Sequence, residues 1–569
     1  MSPSTPAQQP EALSAAQPTS FEALKVAADA SSPSAYVPPY IRSESLSPGS
    51  PVASSAHSST DNLHGDHPDY LRMILTARCY DIVKQSPLTH AVNLSSRTRN
   101  HIYLKREDLQ DVFSFKIRGA YNKLAHLSED ERRCGVIACS AGNHAQGVAL
   151  AAKTMGIKAT IIMPTPTPEI KSRNVLRLGS TVILHGKNFD EAKAECERLT
   201  ELENYTNIPP FDDPYVIAGQ GTIGAEILRQ HNLGEIDVIF CSVGGGGLIA
   251  GIAAYVKRVA PHIKIVGCET IDANAMTESL RAGKRILLSD VGLFADGAAV
   301  KMVGEEPFRL CQSFVDEMVE VTNDEICAAI KDIFEDTRSI VEPAGGMAVA
   351  GCKKWLREHN YSGKTCVAVT SGANMNFERL RFVAERALLG EQKEALLSVV
   401  IPEKPGAFLR LYKHIHPLMV TEFSYRFAPG RSAQIYMSFL CQDRKREVPK
   451  ILANIAQEDM QGWDISDDEM AKSHARYMIG GRSKAENERM IRFEFPERPG
   501  ALLQFLEGLH AEWNVSLFHY RNHGSDMGKV LAGLQVPEQD NEEFSKYLSN
   551  LNYNWVEETN NPLYKQFFC

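Results

Sequence analysis

The sequence predicts an α/β core built on a parallel sheet, followed by two copies of a small α+β sandwich. Three observations carry this. From about Tyr70 to Leu389, apolar strand-like runs alternate with helix-like segments, the trace that a parallel sheet with crossover helices leaves in a sequence. Beyond residue 390 the phrase Val400-Ile-Pro-Glu-Lys-Pro-Gly-Ala-Phe408 returns as Glu494-Phe-Pro-Glu-Arg-Pro-Gly-Ala-Leu502, an offset of 94. The 569 residues also exceed the roughly 100–200 that one ordinary domain uses.

Taken in chain order, residues 1–65 are expected to be a disordered tail. The first 60 contain 15 Ser, 11 Ala and 9 Pro, which cannot bury enough surface to offset the entropy of ordering. As a mitochondrial transit peptide the tail is weak, since its only basic residues, Lys25 and Arg42, face Glu11, Glu22, Asp29 and Glu44. The strands expected next are Gly135–Cys139, Ala159–Met163, Thr181–Leu184, Val238–Val243, Ile263–Glu269 and Thr365–Thr370. Ligands of such sheets bind at the C-terminal ends of the strands, so the chemistry is sought there. The second C-terminal copy reads as Met490–Phe495, a helix over Ala501–Leu509, Val515–Tyr520, Val530–Val536, a helix over Asn541–Leu548, and Asn552–Val556. That order suits a ferredoxin-like fold, in which a plain structural spacer is the competing reading.

Composition excludes several classes. Lys+Arg number 61 against 70 Asp+Glu, a net charge of −9 without a long basic run, so neither nucleic acid nor an acidic membrane is indicated as a partner. Apolar stretches such as Gly247–Val256 fall short of the ~20 residues of a membrane span. The 12 cysteines form no C-x-x-C pair, which points to reduced thiols and no zinc site.

Four segments could carry chemistry. In Lys105-Arg-Glu-Asp-Leu-Gln-Asp-Val-Phe-Ser-Phe-Lys-Ile-Arg-Gly119, Lys116 sits between Phe115 and Ile117. Desolvation, with a cation such as Arg118 nearby, would lower its basicity and make it a nucleophile able to form a Schiff base; the alternative is a solvated surface lysine. Ser140-Ala-Gly-Asn-His-Ala-Gln-Gly147 follows a strand and opens a helix, and its small residues let backbone N–H groups approach an anion such as a carboxylate. Within it His144 reads equally well as a structural histidine.

The third segment brings the strand at Val238–Val243 to Gly244, Gly245, Gly246 and Gly247 ahead of an apolar helix, a backbone suited to wrapping a phosphate. A tight structural turn or a dinucleotide fold would leave the same trace, because Gly245-x-Gly247-x-x-Ala250 fits that fingerprint and Glu269 stands where a ribose-binding acid would. In the fourth, Val367-Ala-Val-Thr-Ser-Gly-Ala-Asn-Met-Asn376, Ser371 places a neutral hydroxyl at the site edge or caps a helix.

Together these segments resemble fold type II of the pyridoxal-phosphate enzymes, the tryptophan synthase β-like fold, and specifically the biosynthetic threonine dehydratases. The resemblance runs from about Tyr70 to the C-terminus. It implies that Lys116 carries pyridoxal 5'-phosphate as a Schiff base, with Phe115 packed beside the ring. Asn143 would bond the phenolic oxygen, Gly244 to Gly247 would hold the phosphate, and Ser371 would meet the pyridine nitrogen. Ser140, Ala141, Gly142, Asn143 and His144 would hold the substrate carboxylate. The implied activity is that of an L-threonine ammonia-lyase, which makes 2-oxobutanoate and ammonia by β-elimination, the first committed step of isoleucine biosynthesis. A serine dehydratase or racemase of the same fold, an NAD-dependent dehydrogenase and a non-catalytic amino-acid sensor are the alternatives.

Related enzymes hold a divalent cation near the strand ending at Glu269; here Glu269 and Ala273 match but Ala275 replaces a carboxylate, so no metal site is expected. The repeats resemble paired ACT-like regulatory domains, which implies isoleucine as inhibitor and valine as opposing effector. The implied effector residues are the repeat-matched Tyr425, Arg426, Tyr520 and Arg521, with Arg476 between the copies; solvated strand ends are the competing reading of these arginines. The expected division is a tail over 1–65, a catalytic domain over 66–390 and regulatory domains over 391–480 and 485–569. A homotetramer is expected. Resemblance to eukaryotic members implies a mitochondrial location, with the cytoplasm as alternative.

Overall fold

In the computed structural model the described residues are 67–402, 407–425, 432–475, 485–496, 505, 509, 513–521 and 527–568. The expected tail, most of the helix over Ala501–Leu509, and the effector candidates Arg426 and Arg476 lie outside them, as do the side chains of Tyr425, Tyr520 and Arg521.

The predicted parallel core is split between two sheets. One has six strands in the order Leu88–His90, His101–Arg106, Thr365–Thr370, Val238–Ser242, Lys264–Thr270 and Glu317–Val321. All of its pairings are parallel except that of the edge strand Leu88–His90. The other has four parallel strands in the order Thr181–Leu184, Ala159–Met163, Val136–Cys139 and Thr206–Asn207. Strands Val136–Cys139, Ala159–Met163, Val238–Ser242 and Thr365–Thr370 are buried at every position, which is why they read as unbroken apolar runs without alternation.

Helix Lys116–Ala125 lies against helix Pro214–Gln230, and the contact is so close that a Cβ on Gly219 would stand 2.6 Å from Arg118 O. An ion cluster fastens the same helix from below. The fully buried Arg118 donates to Glu107 at 2.7 and 2.8 Å and to Glu226 at 2.6 and 3.0 Å. Lys105 Nζ donates to Glu226 Oε2 at 2.5 Å, so two cations balance two carboxylates. Burial alone would push the Glu226 carboxyl up, but Arg118 and Lys105 hold it below the usual carboxylate range.

The repeats fold alike. The first sheet joins Val420–Tyr425, Ser432–Leu440, Glu394–Pro402 and Gln461–Asp464, and the second joins Asn514–Arg521, Met527–Gln535, Glu488–Pro496 and Asn554–Glu557. Both are antiparallel, with the strands in the order second, third, first, fourth. Even an irregularity recurs, a register shift at Val420/Glu422 and again at Val515/Leu517. Leu396, Tyr436, Met490 and Leu531 pack in one apolar cluster, so the two sheets share a core.

A second buried ion network joins the repeats to the core. Arg386, on helix Arg379–Gly390, donates to Glu469 of the first repeat at 2.8 and 3.0 Å and to Asp324 at 3.2 Å. Lys529 of the second repeat also reaches Glu469, and Lys472 reaches Asp324 at 2.7 Å.

Candidate active site

Part of the sequence-predicted set gathers in one cleft, whereas Ser140 to His144 follow strand Val136–Cys139 of the four-stranded sheet and are not among its lining residues. Phe115, Lys116, Ser242, Gly244 to Gly247, Gly297, Ala298, Ala344 and Ser371 line that cleft, together with Phe211, to which the sequence reading assigns nothing.

Lys116 opens helix Lys116–Ala125, its Nζ 5.3 Å from the centroid of the Phe115 ring and donating to Pro210 O at 2.8 Å. Burial lowers its pKa to about 8, with Glu342 acting weakly in the opposite sense. The cation expected to help does not: Arg118 points its guanidinium into the Glu107/Glu226 cluster, so desolvation is what makes the amine nucleophilic.

The glycines are required by space and conformation. A Cβ on Gly245 would lie 2.2 Å from Phe211, and one on Gly244 would lie 2.8 Å from Ala298 O. Gly246 has φ +93°, in the left-handed region, and caps helix Gly247–Val259. The unsatisfied N–H groups of that helix start are therefore open to an anion, which the helix dipole favours.

Ser371 is buried, its Oγ donating to Ala344 O at 3.2 Å and its carbonyl accepting from Phe115 N at 3.1 Å. Ser242 Oγ donates to the same Ala344 O at 2.6 Å. Asn143 starts helix Asn143–Met155, and Ser140, Ala141, Gly142 and Asn143 are all half-buried. His144 turns inward instead: its ring Nε2 meets Ile208 O at 2.7 Å, Nδ1 is buried without a partner among the described residues, and burial with the Lys116 charge lowers its pKa to about 3. It is a neutral histidine.

The dinucleotide alternative fails at Glu269. Its oxygens accept from Met276 N at 2.9 Å and from Thr277 N and Oγ1 at 2.8 and 2.6 Å, which commits the carboxylate to the start of helix Ala275–Ala282. Two residues that hold the Asn143 side chain have roles the sequence reading does not give. Glu342, at the N-cap of helix Pro343–Glu358, accepts from Asn143 Nδ2 at 2.6 Å, and burial raises its carboxyl to about 7, helped by Asp296. Asn374 Nδ2 donates to Asn143 Oδ1 at 2.6 Å. Asn374 stands inside a quoted motif, whereas Glu342 precedes a proline in a stretch that offers no pattern to find it by.

Carbonyl chemistry with a phosphorylated partner is what such a cleft can support, because its amine is nucleophilic near neutral pH and its glycine cradle shares the lining with the neutral hydroxyls of Ser242 and Ser371. Fold and site together define a pyridoxal-phosphate dependent enzyme, and the residues present fit that cofactor. Residues 80–372 match the family described as pyridoxal-phosphate dependent enzyme, and residues 385–475 and 479–568 match the C-terminal regulatory domain of threonine dehydratase. The chain is 58% identical over 502 residues to the mitochondrial threonine dehydratase of Schizosaccharomyces pombe, covering 88% of this chain and 84% of that one. It is 53% identical over 503 residues to the biosynthetic L-threonine dehydratase IlvA of Burkholderia multivorans, covering 88% and 99%. The structure of the processed threonine deaminase isoform 2 of Solanum lycopersicum superimposes with a TM-score of 0.55 at 50% identity, covering 56% of this chain and 88% of that one. The chain belongs to the biosynthetic threonine dehydratases, pyridoxal-phosphate dependent lyases that carry C-terminal regulatory domains.

Proposed function

We propose that this cleft converts L-threonine to 2-oxobutanoate and ammonia by β-elimination. The observation that carries the reading is the desolvated Lys116 amine, held in one cleft with the Gly244 to Gly247 cradle and Ser371. Bound pyridoxal phosphate supplies the electron sink for charge developing at the substrate Cα. Lys116 would hold the cofactor, and its desolvated amine would serve as the general base for the substrate Cα proton. Gly244 to Gly247 would hold the phosphate, Asn143 would bond the phenolic oxygen and Phe115 would pack beside the ring. Ser371 would meet the ring nitrogen with a neutral hydroxyl, which would favour loss of the β-hydroxyl as the outlet for charge. The loop from Ser140 to His144 orients the substrate carboxylate through its backbone N–H groups. Comparing kcat/KM for threonine and serine tests the substrate assignment: turnover of serine without threonine would favour the serine-specific alternative.

Because attachment of the cofactor needs the neutral amine, its rate on the apoenzyme is set by the Lys116 pKa. Lowering that pKa from 10.5 to about 8 increases the neutral fraction well below pH 8 by about 300-fold. The absorbance-monitored rate of reconstitution should therefore rise through about pH 8 and level above it. A rate still climbing steeply at pH 10 would contradict the desolvation of Lys116.

The division into a catalytic domain over 66–390 and regulatory domains over 391–480 and 485–569 accompanies this reading, with isoleucine as inhibitor and valine as opposing effector. Tyr425, Arg426, Tyr520, Arg521 and Arg476 are the effector residues, the arginines pairing with the amino-acid carboxylate. The Arg386–Glu469–Lys529 network supports control of the core by both repeats, since a shift of either would disturb a buried charge cluster. Loss of an Arg–carboxylate pair costs about 1.5–3 kcal/mol, so Arg521→Ala should raise the isoleucine concentration for half-inhibition about tenfold or more. An unchanged inhibition curve would remove Arg521 from the site. The assembly is a homotetramer in this reading. The location is mitochondrial, as the names of the fission and baker's yeast relatives support.

A further inference from the structure

Glu342 is 4% exposed, and burial together with Asp296 outweighs the opposing charges of Lys171 and Arg379 on its carboxyl. Burying a carboxylate is costly to a fold, and the surroundings make deliberate room for this one. A Cβ on Gly372 would stand 2.5 Å from Glu342 Oε1, and one on Gly297 would stand 3.5 Å from it. Its position is fixed from the main chain, where Glu342 N donates to Gly372 O at 3.1 Å, the residue after Ser371.

What the carboxylate holds is the Asn143 side chain, whose Nδ2 donates to Oε1 at 2.6 Å. At the opposite end of the same amide, Asn143 Oδ1 accepts from Asn374 Nδ2 at 2.6 Å, and Asn374 is steadied by a bond to Val112 O at 2.7 Å. An acceptor on one side and a donor on the other allow only one orientation of the amide. Of the two Nδ2 hydrogens, one is taken by Glu342 and one remains. A carboxylate acceptor also makes the first of these bonds a strong, charge-assisted one.

We propose that Glu342 is a positioning residue for the lyase reaction, clamping Asn143 together with Asn374 so that the remaining Nδ2 hydrogen is kept for the phenolic oxygen of the cofactor. The inference rests on the assignment of Asn143 to that oxygen. Glu342 acts through Asn143 on how tightly the ring is held and on its absorption, not on the reacting atoms directly.

Three variants of the holoenzyme test this by spectrum and by cofactor release on dialysis. Glu342→Ala should shift the visible absorption band and speed release about tenfold, the loss expected when a charged hydrogen-bond partner is removed. Glu342→Gln keeps an acceptor at nearly the same reach but without the charge, and should release cofactor more slowly than Glu342→Ala and faster than the wild type. Asn374→Ala frees the other end of the amide and should shift the band in the same direction, which decides the matter even if Glu342→Ala does not fold. Wild-type band and release rate in the alanine variants, or a glutamine variant that releases cofactor as fast as the alanine one, would overturn the proposal. Failure of the underlying assignment would look different, because Asn143→Ala itself would then keep the wild-type band and release rate.

Discussion

Lys116→Ala is expected to lower turnover of threonine by about 10³-fold or more and to abolish the visible absorption of the bound cofactor. Both effects follow from one fact of geometry: among the described residues lining the cleft, Lys116 is the only amine. No neighbour can take over its two tasks. Arg118, two residues on, is fully buried in its ion cluster and permanently charged, and His144 is committed to Ile208 O. The substitution should leave the fold intact, because Nζ is held by a single bond to Pro210 O and the helix beneath is fixed by Arg118. A variant that keeps the band and appreciable turnover would refute the assignment.

Arg118→Met is expected to destabilise the protein by about 3–5 kcal/mol, since removing one partner of a buried ion pair leaves its counter-charges uncompensated. Glu107 and Glu226 would remain buried with Lys105 as the sole cation of the cluster. Urea unfolding followed by circular dichroism should show the midpoint fall. Arg173→Met is the control, because the Arg173–Glu169 pair is 67% and 81% exposed at its side chains and such pairs contribute little. Equal midpoints for the two variants would mean that the Arg118 cluster is not structurally required. Since Arg118 immediately follows the Lys116 turn, its variant should also lose cofactor at urea concentrations the wild type tolerates.

Much of this was legible in the sequence because the fold needs particular residues where backbones crowd. The glycine run from Gly244 to Gly247 is readable since Phe211 and Ala298 leave no space for a Cβ. In the core, expected and observed strand ends differ by at most a residue, as at Gly135, whose φ of +96° keeps it out of the strand Val136–Cys139, whereas in the second repeat they differ by up to three, as for Val530–Val536 against Met527–Gln535. The split into two sheets was not legible, because strands buried on both faces look the same whichever sheet they join. Nor was the partnership of Lys116: adjacency to Arg118 in sequence suggested a cationic neighbour, whereas the two side chains serve different clusters. Glu342 was invisible for a related reason. It lies 199 residues from the Asn143 it holds, and no local pattern records so distant a contact.

Borohydride reduction of the holoenzyme, followed by proteolysis and mass spectrometry of the peptides, tests the central claim most directly. The reduced pyridoxyl group should be found on the peptide containing Lys116, in the segment Ser114-Phe-Lys-Ile-Arg118. Its recovery on any other lysine would contradict the account.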